Sequence, residues 1–130
     1  MSEVEQLAAE WMQYAVEDLA VAEGQYADGT VPARYTCYLS QQAAEKAMKA
    51  LLVRVQIEFA FTHDLQKLAR LIDPPLVAVA AHELADLSRW ATETRYPSES
   101  PAADRDDALV ALAAARAIVA ECRARFDGEG

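Results

Sequence analysis

Placed on a helix at about 100° per residue, Val4, Leu7, Trp11, Tyr14, Ala15, Leu19 and Ala22 share one face. Nowhere does the chain alternate apolar and polar residues with period two over the length of a strand. That pair of facts restricts the chain to helices. Alanine, the best helix former, supplies much of the 53% hydrophobic content, and only four Gly and five Pro interrupt it. With 130 residues there is chain enough for one core without staples. The spacing predicts an all-α fold: an up-and-down four-helix bundle with an additional short helix, over residues 1–126, and a frayed tail at 127–130.

The first helix is expected from the N-cap Ser2 to about Glu23, with Asp18 in the middle of its apolar face. The second runs from about Ala33 to Val55. Tyr35, Tyr38, Leu39 and Val53 form an inward stripe there, with Ala43, Ala47 and Ala50 as a strip of small residues beside it. Gln42, Glu45, Lys46 and Lys49 continue the tyrosine stripe, which sets a polar patch within a half-apolar face. Thr62 is the expected cap of a short third helix reaching Ile72, with His63, Lys67 and Arg70 together on its polar side. A fourth helix is expected from Pro75 to Thr94, burying Leu76, Val79, Ala80, Leu84, Leu87, Trp90 and Ala91. Ser100-Pro101 then opens a fifth that ends near Phe126. Its apolar residues Leu109, Val110, Leu112, Ile118, Val119 and Phe126 cover more than one side, which predicts a homodimer.

Charge narrows the function. The net charge is −9, and residues 1–30 hold seven acids and no Lys or Arg. Residues 33–72 reverse this, with six bases against three acids. The overall balance argues against a bulk nucleic-acid coat and leaves room for one local basic patch. Cys37 and Cys122 have no zinc or redox spacing, so reduced thiols in a cytoplasmic protein are expected. No signal segment begins the sequence, and its longest apolar run, 74–81, is too short to span a membrane. His82-Glu83 is followed one turn later by Asp86, which breaks a zinc-protease motif, and no phosphate-cradling glycine loop occurs. No metal or cofactor is expected.

Three segments together resemble the HEPN domain (higher eukaryotes and prokaryotes nucleotide-binding). They are Trp11-x3-Ala15-x2-Asp18-Leu19-x2-Ala22, then Gln42-Ala43-Ala44-Glu45-Lys46-Ala47-x-Lys49-Ala50-Leu51-Leu52, then His63-Asp64-Leu65-x2-Leu68 with the later Arg95-Tyr96-Pro97. The resemblance implies a helical bundle that dimerises. In bacteria and archaea it also implies a partner, a minimal nucleotidyltransferase in a two-protein, toxin–antitoxin-like module. The subgroup with this Gln-Ala-x-Glu-Lys pattern is associated with nucleotide binding.

Another branch of the family consists of metal-independent ribonucleases that use an Arg and a His with four to six residues between them. Here the positions after Arg95 hold Ser100, Pro101 and Ala102. Those before His63 hold Gln56, Ile57 and Glu58, and those before His82 hold Pro75, Leu76 and Val77. With no imidazole at that spacing, the general acid–base step lacks its carrier, and no catalytic residue is assigned. The reading is a binding module whose nucleotide site would draw on Tyr38, Gln42, Lys46, Lys49, His63, Arg95 and Tyr96. Asp18 and Glu45 are expected in a structural polar network, because a lone buried carboxylate is costly. The alternatives are a diverged ribonuclease using Arg95, and a purely structural helical adaptor.

Overall fold

In the computed structural model the described residues are 1–94, 97 and 101–128. The first helix, α1, spans Glu3–Ala27. Its start follows from a capping box: Ser2 Oγ accepts from the Glu5 N–H at 3.1 Å, and the Glu5 carboxylate accepts from the Ser2 N–H at 3.1 Å. It runs a turn past the expected end, since Gly24 lies inside it and still accepts the Asp28 N–H.

Helix α2 (Ala33–Arg54) keeps its expected bounds. It stops in a Schellman turn: the Ile57 N–H reaches the Leu52 carbonyl and the Gln56 N–H reaches Val53. Gln56 takes the left-handed conformation (φ 57°) that glycine usually supplies there. Helix α3 (Leu65–Arg70) is capped by Asp64, whose carboxylate accepts from Gln66 N–H and Lys67 N–H. Thr62 supports this cap from one step back by accepting the Asp64 N–H.

The fourth helix is shorter than its apolar spacing suggests. It is split into α4 (Ala81–Ser88) and α5 (Trp90–Glu93) and does not begin at Pro75. The Val77 and Ala78 N–H groups are taken by the Glu121 carboxylate at 2.7–3.0 Å, which holds residues 77 and 78 as a loop. Glu83 then reaches back to the Ala80 N–H and starts the helix there. Ser100 lies outside the described residues. The last helix, α6 (Arg105–Phe126), is opened by a reciprocal Asp104–Asp107 box instead of by Pro101.

Helix α2 is the axis of the bundle. It packs on α1 along one side and on α6 along another, and α3, α4 and α5 cover what remains. Met48, Leu52, Leu65, Leu68, Leu87, Leu112 and Ile118 are fully buried between these layers. Each such side chain contributes roughly 1.5–3 kcal/mol of transfer free energy. Cys37 and Cys122 are also fully buried, and loss of hydration pushes both thiols up to about 12.

The inward face of α1 differs from the expected one. Ala8, Met12, Ala15 and Ala22 are buried, whereas Leu7 and Tyr14 are exposed. Ala15 belongs to one buried cluster with Ala43, Ala47 and Ala50 of the small-residue strip on α2, on which α1 packs. Tyr35, Tyr38, Leu39 and Val53 correspondingly lie at or outside the edge of the core instead of within it. On α6, Leu112, Ile118 and Val119 are consumed by the bundle, and only Leu109 and Val110 remain exposed. Among the described residues, no helix is long and apolar enough to cross a membrane.

Candidate functional site

Gln41, Glu45 and Lys49 occupy one row of α2 at successive i,i+4 positions, and all three are buried. Glu45 is the hub. Its Oε1 accepts from Gln41 Nε2 at 3.0 Å and from His63 Nδ1 at 2.8 Å, while Oε2 accepts from Lys49 Nζ at 3.0 Å. A carboxylate at 2.8 Å places the imidazole proton on Nδ1. Gln41 spends its second amide hydrogen on the His63 carbonyl at 3.1 Å, and its oxygen accepts from Gln42 Nε2 at 2.7 Å. The loop preceding α3 is thereby tied to the middle of α2 at both the backbone and the side chain of His63.

Burial pushes the Glu45 carboxyl up, but the hydrogen bonds from Gln41, His63 and Lys49 and the Lys49 charge outweigh it. The group is held below its ordinary value. Lys49 has one carboxylate partner and is otherwise enclosed by aromatic rings. Its Nζ lies 5.6 Å from the Trp11 centroid, 5.6 Å from Phe59 and 5.7 Å from Phe61. Ring quadrupoles replace part of the hydration such an ammonium has lost.

A second pair joins α1 to α2. Lys46 Nζ donates to Asp18 Oδ2 at 2.6 Å, with 23% and 20% of the two side chains exposed, and sits over the exposed Tyr14 ring. This pair lies at the rim of the α1–α2 interface rather than deep within it.

The structure thus gathers Glu45, Lys49 and His63 into one network, with Gln42 at its edge and Lys46–Asp18 beside it. Tyr38 is half-buried on the same helix. Arg95 and Tyr96 lie outside the described residues. Lys67 and Arg70 stay exposed on α3, while the His63 ring turns to Glu45. Gln41 was missed in favour of its neighbour Gln42, although the 41-45-49 row is visible in the sequence. Phe59 and Phe61 were also missed, since only folding brings that loop over Lys49. Each lysine of the cluster has its own carboxylate, so the cluster carries no surplus positive charge. Among the described residues, no three His, Cys, Asp or Glu side chains are grouped to hold a metal ion.

The same architecture exists elsewhere. TT1696 from Thermus thermophilus is 28% identical, with 89% of this chain and 95% of that chain covered and a TM-score of 0.74. ST0689, described as an archaeal HEPN homologue, is 28% identical over 97% of this chain and 99% of its own, with a TM-score of 0.72. No curated protein matches the chain. The HEPN domain family model matches residues 8–125, from the first buried alanine of α1 to the last turn of α6. By that match, and with the helical bundle just described, the chain belongs to the HEPN domain family.

Proposed function

We propose that this HEPN domain is a non-catalytic binding module that works through protein contact. Its partner would be a minimal nucleotidyltransferase in a toxin–antitoxin-like pair. One observation carries the reading: each lysine of the signature cluster is already neutralised by Asp18 or Glu45, while the rings around it, Tyr14 and Phe61 among them, face outward. Fixed positive charge for a phosphate is what a nucleotide site needs first. Exposed aromatic and aliphatic side chains are what a protein interface needs. The reading includes self-association through the exposed Leu109 and Val110 of α6. The ribonuclease alternative has no support from the sequence spacing, and the purified protein should leave single-stranded RNA intact in the presence of chelator.

The test is co-expression with a nucleotidyltransferase encoded beside it, followed by light scattering on the eluted material. A stoichiometric complex is expected, and separate elution at micromolar concentration would overturn the reading. A second reading, nucleotide binding at Tyr38, Gln42 and Lys46, is favoured by one feature: Lys46 lies 5.9 Å over the ring of Tyr14, which could stack a base. Titration of ATP and GTP against the wild type and Lys46→Ala tests it. Binding that is lost in the variant would establish that site, and absence of binding would remove it.

A further inference from the structure

Helix α1 carries two parallel rows at seven-residue spacing on its solvent side. Leu7, Tyr14 and Val21 form the first, and these residues are 50%, 55% and 52% exposed. Glu3, Glu10 and Glu17 form the second, all exposed, next to the first on the helix surface. Among the described residues none of these three acids is paired with a cation. Their local bonding is a single amide contact, Gln13 to Glu17.

The apolar row is long. From Leu7 to Val21 it runs about 21 Å along the helix at 1.5 Å per residue. On α2, Lys46, which bridges to Asp18, shares a row with Leu39 and Val53, both half-buried and seven residues to either side of it. An apolar row at seven-residue spacing beside a charged row is the pattern of a helix–helix seam, in which flanking charges choose the partner. The core of the bundle has left this seam unused, because the alanines of α1 were turned inward in its place.

We infer that the α1 surface docks an amphipathic helix of a second protein, one with an apolar row flanked by Lys and Arg. The charge decides the occupant. Residues 1–30 hold seven acids and no base; Asp18 and Glu23 are paired with Lys46 and Arg116, and the unpaired Glu3, Glu10 and Glu17 leave negative charge along the apolar row. A second copy of α1 packed antiparallel about a twofold axis would bring the two rows of glutamates together, and like charges across a seam repel. Of the cations nearby, Lys46 is neutralised by Asp18, and Arg34 stacks on Tyr35 on α2, away from the row of glutamates on α1. This inference deepens the protein-contact reading above and rests on it.

The test uses a synthetic amphipathic peptide of about 20 residues with Leu on one face and Lys and Arg on its flanks, titrated by calorimetry into the full chain. An acidic peptide of the same apolar pattern is the comparison. Binding of the basic peptide alone is expected. Tyr14→Ala/Val21→Ala and Glu10→Lys/Glu17→Lys should each weaken it on the order of tenfold. The exposed-charge control Asp86→Lys/Asp106→Lys should leave it unchanged, with circular dichroism reporting the fold of each variant. Equal weakening by the control, or equal binding of both peptides, would overturn the inference. So would sedimentation showing a wild-type dimer that Tyr14→Ala/Val21→Ala dissociates, since a second copy would then be the occupant. A nucleotidyltransferase complex that survives the α1 variants would sink this inference and leave the protein-contact reading standing. Peptide binding without any such complex would do the reverse.

Discussion

Lys49 and Glu45, one turn apart on α2, form an ion pair at 3.0 Å with only 5% of either side chain exposed. Such i,i+4 pairs on a helix surface are worth a few tenths of a kcal/mol. Removed from water, the same pair becomes a commitment: neither member can lose the other without leaving a buried charge. Glu45 has the heavier role, since it also accepts from Gln41 and His63.

That asymmetry sets the first prediction. Glu45→Ala strands an ammonium and two further donors, and should cost about 3–5 kcal/mol of stability. Lys49→Met leaves a carboxylate that still accepts from Gln41 and His63, and fills the aromatic enclosure with a similar volume. Its cost should be smaller, about 1–3 kcal/mol. Urea denaturation decides, and the reverse order would remove Glu45 as the hub.

Asp18 behaves differently because about a fifth of its side chain still meets solvent. Asp18→Ala should cost roughly 1–2 kcal/mol, between a surface pair and a buried one. Glu17→Ala on the outward side should change stability by no more than about 0.5 kcal/mol. Indistinguishable melting temperatures for the two variants would show that the Lys46 contact holds nothing together.

Acid should unfold the protein through two carboxyls. In Glu121 as in Glu45, burial pushes the carboxyl up. The Val77 and Ala78 N–H groups and Arg125 outweigh it in Glu121, so both groups sit below their ordinary 4.5. A carboxyl depressed in the folded state binds fewer protons than the unfolded chain does. Its stabilisation is therefore complete above the unfolded value and disappears as pH falls through the folded one. Stability should drop below about pH 4.5. Glu121→Gln, less stable at neutral pH, should lose less over that same interval. Parallel acid-unfolding curves for wild type and variant would refute the assignment to Glu121.

Gln56 offers a gain. Its left-handed backbone at the end of α2 strains any residue with a Cβ. Gln56→Gly should stabilise by about 0.5–1 kcal/mol, since the native conformation is one glycine adopts freely. A lower thermal midpoint for the variant would mean that the glutamine side chain makes up for its backbone.

The sequence by itself determined the helical class, the bounds of α2, the capping of α1 by Ser2 and the family motifs around Asp18, Glu45 and His63. These are local matters: periodicity, hydrogen bonds within a few residues, and spacings along one helix. Tertiary structure decided which face of α1 turned inward: Met12 and Ala15 joined the buried cluster of Ala43 and Ala47, while Leu7 and Tyr14 stayed exposed. It decided that Pro75 would not start a helix, since Glu121, over forty residues away, takes the N–H groups of Val77 and Ala78. And it turned Glu45–Lys49 from a surface pair into a buried one, because Trp11 and Phe59 arrive from two other parts of the chain. Burial is a property of the assembled layers, and no spacing within a single helix encodes which neighbour will cover it.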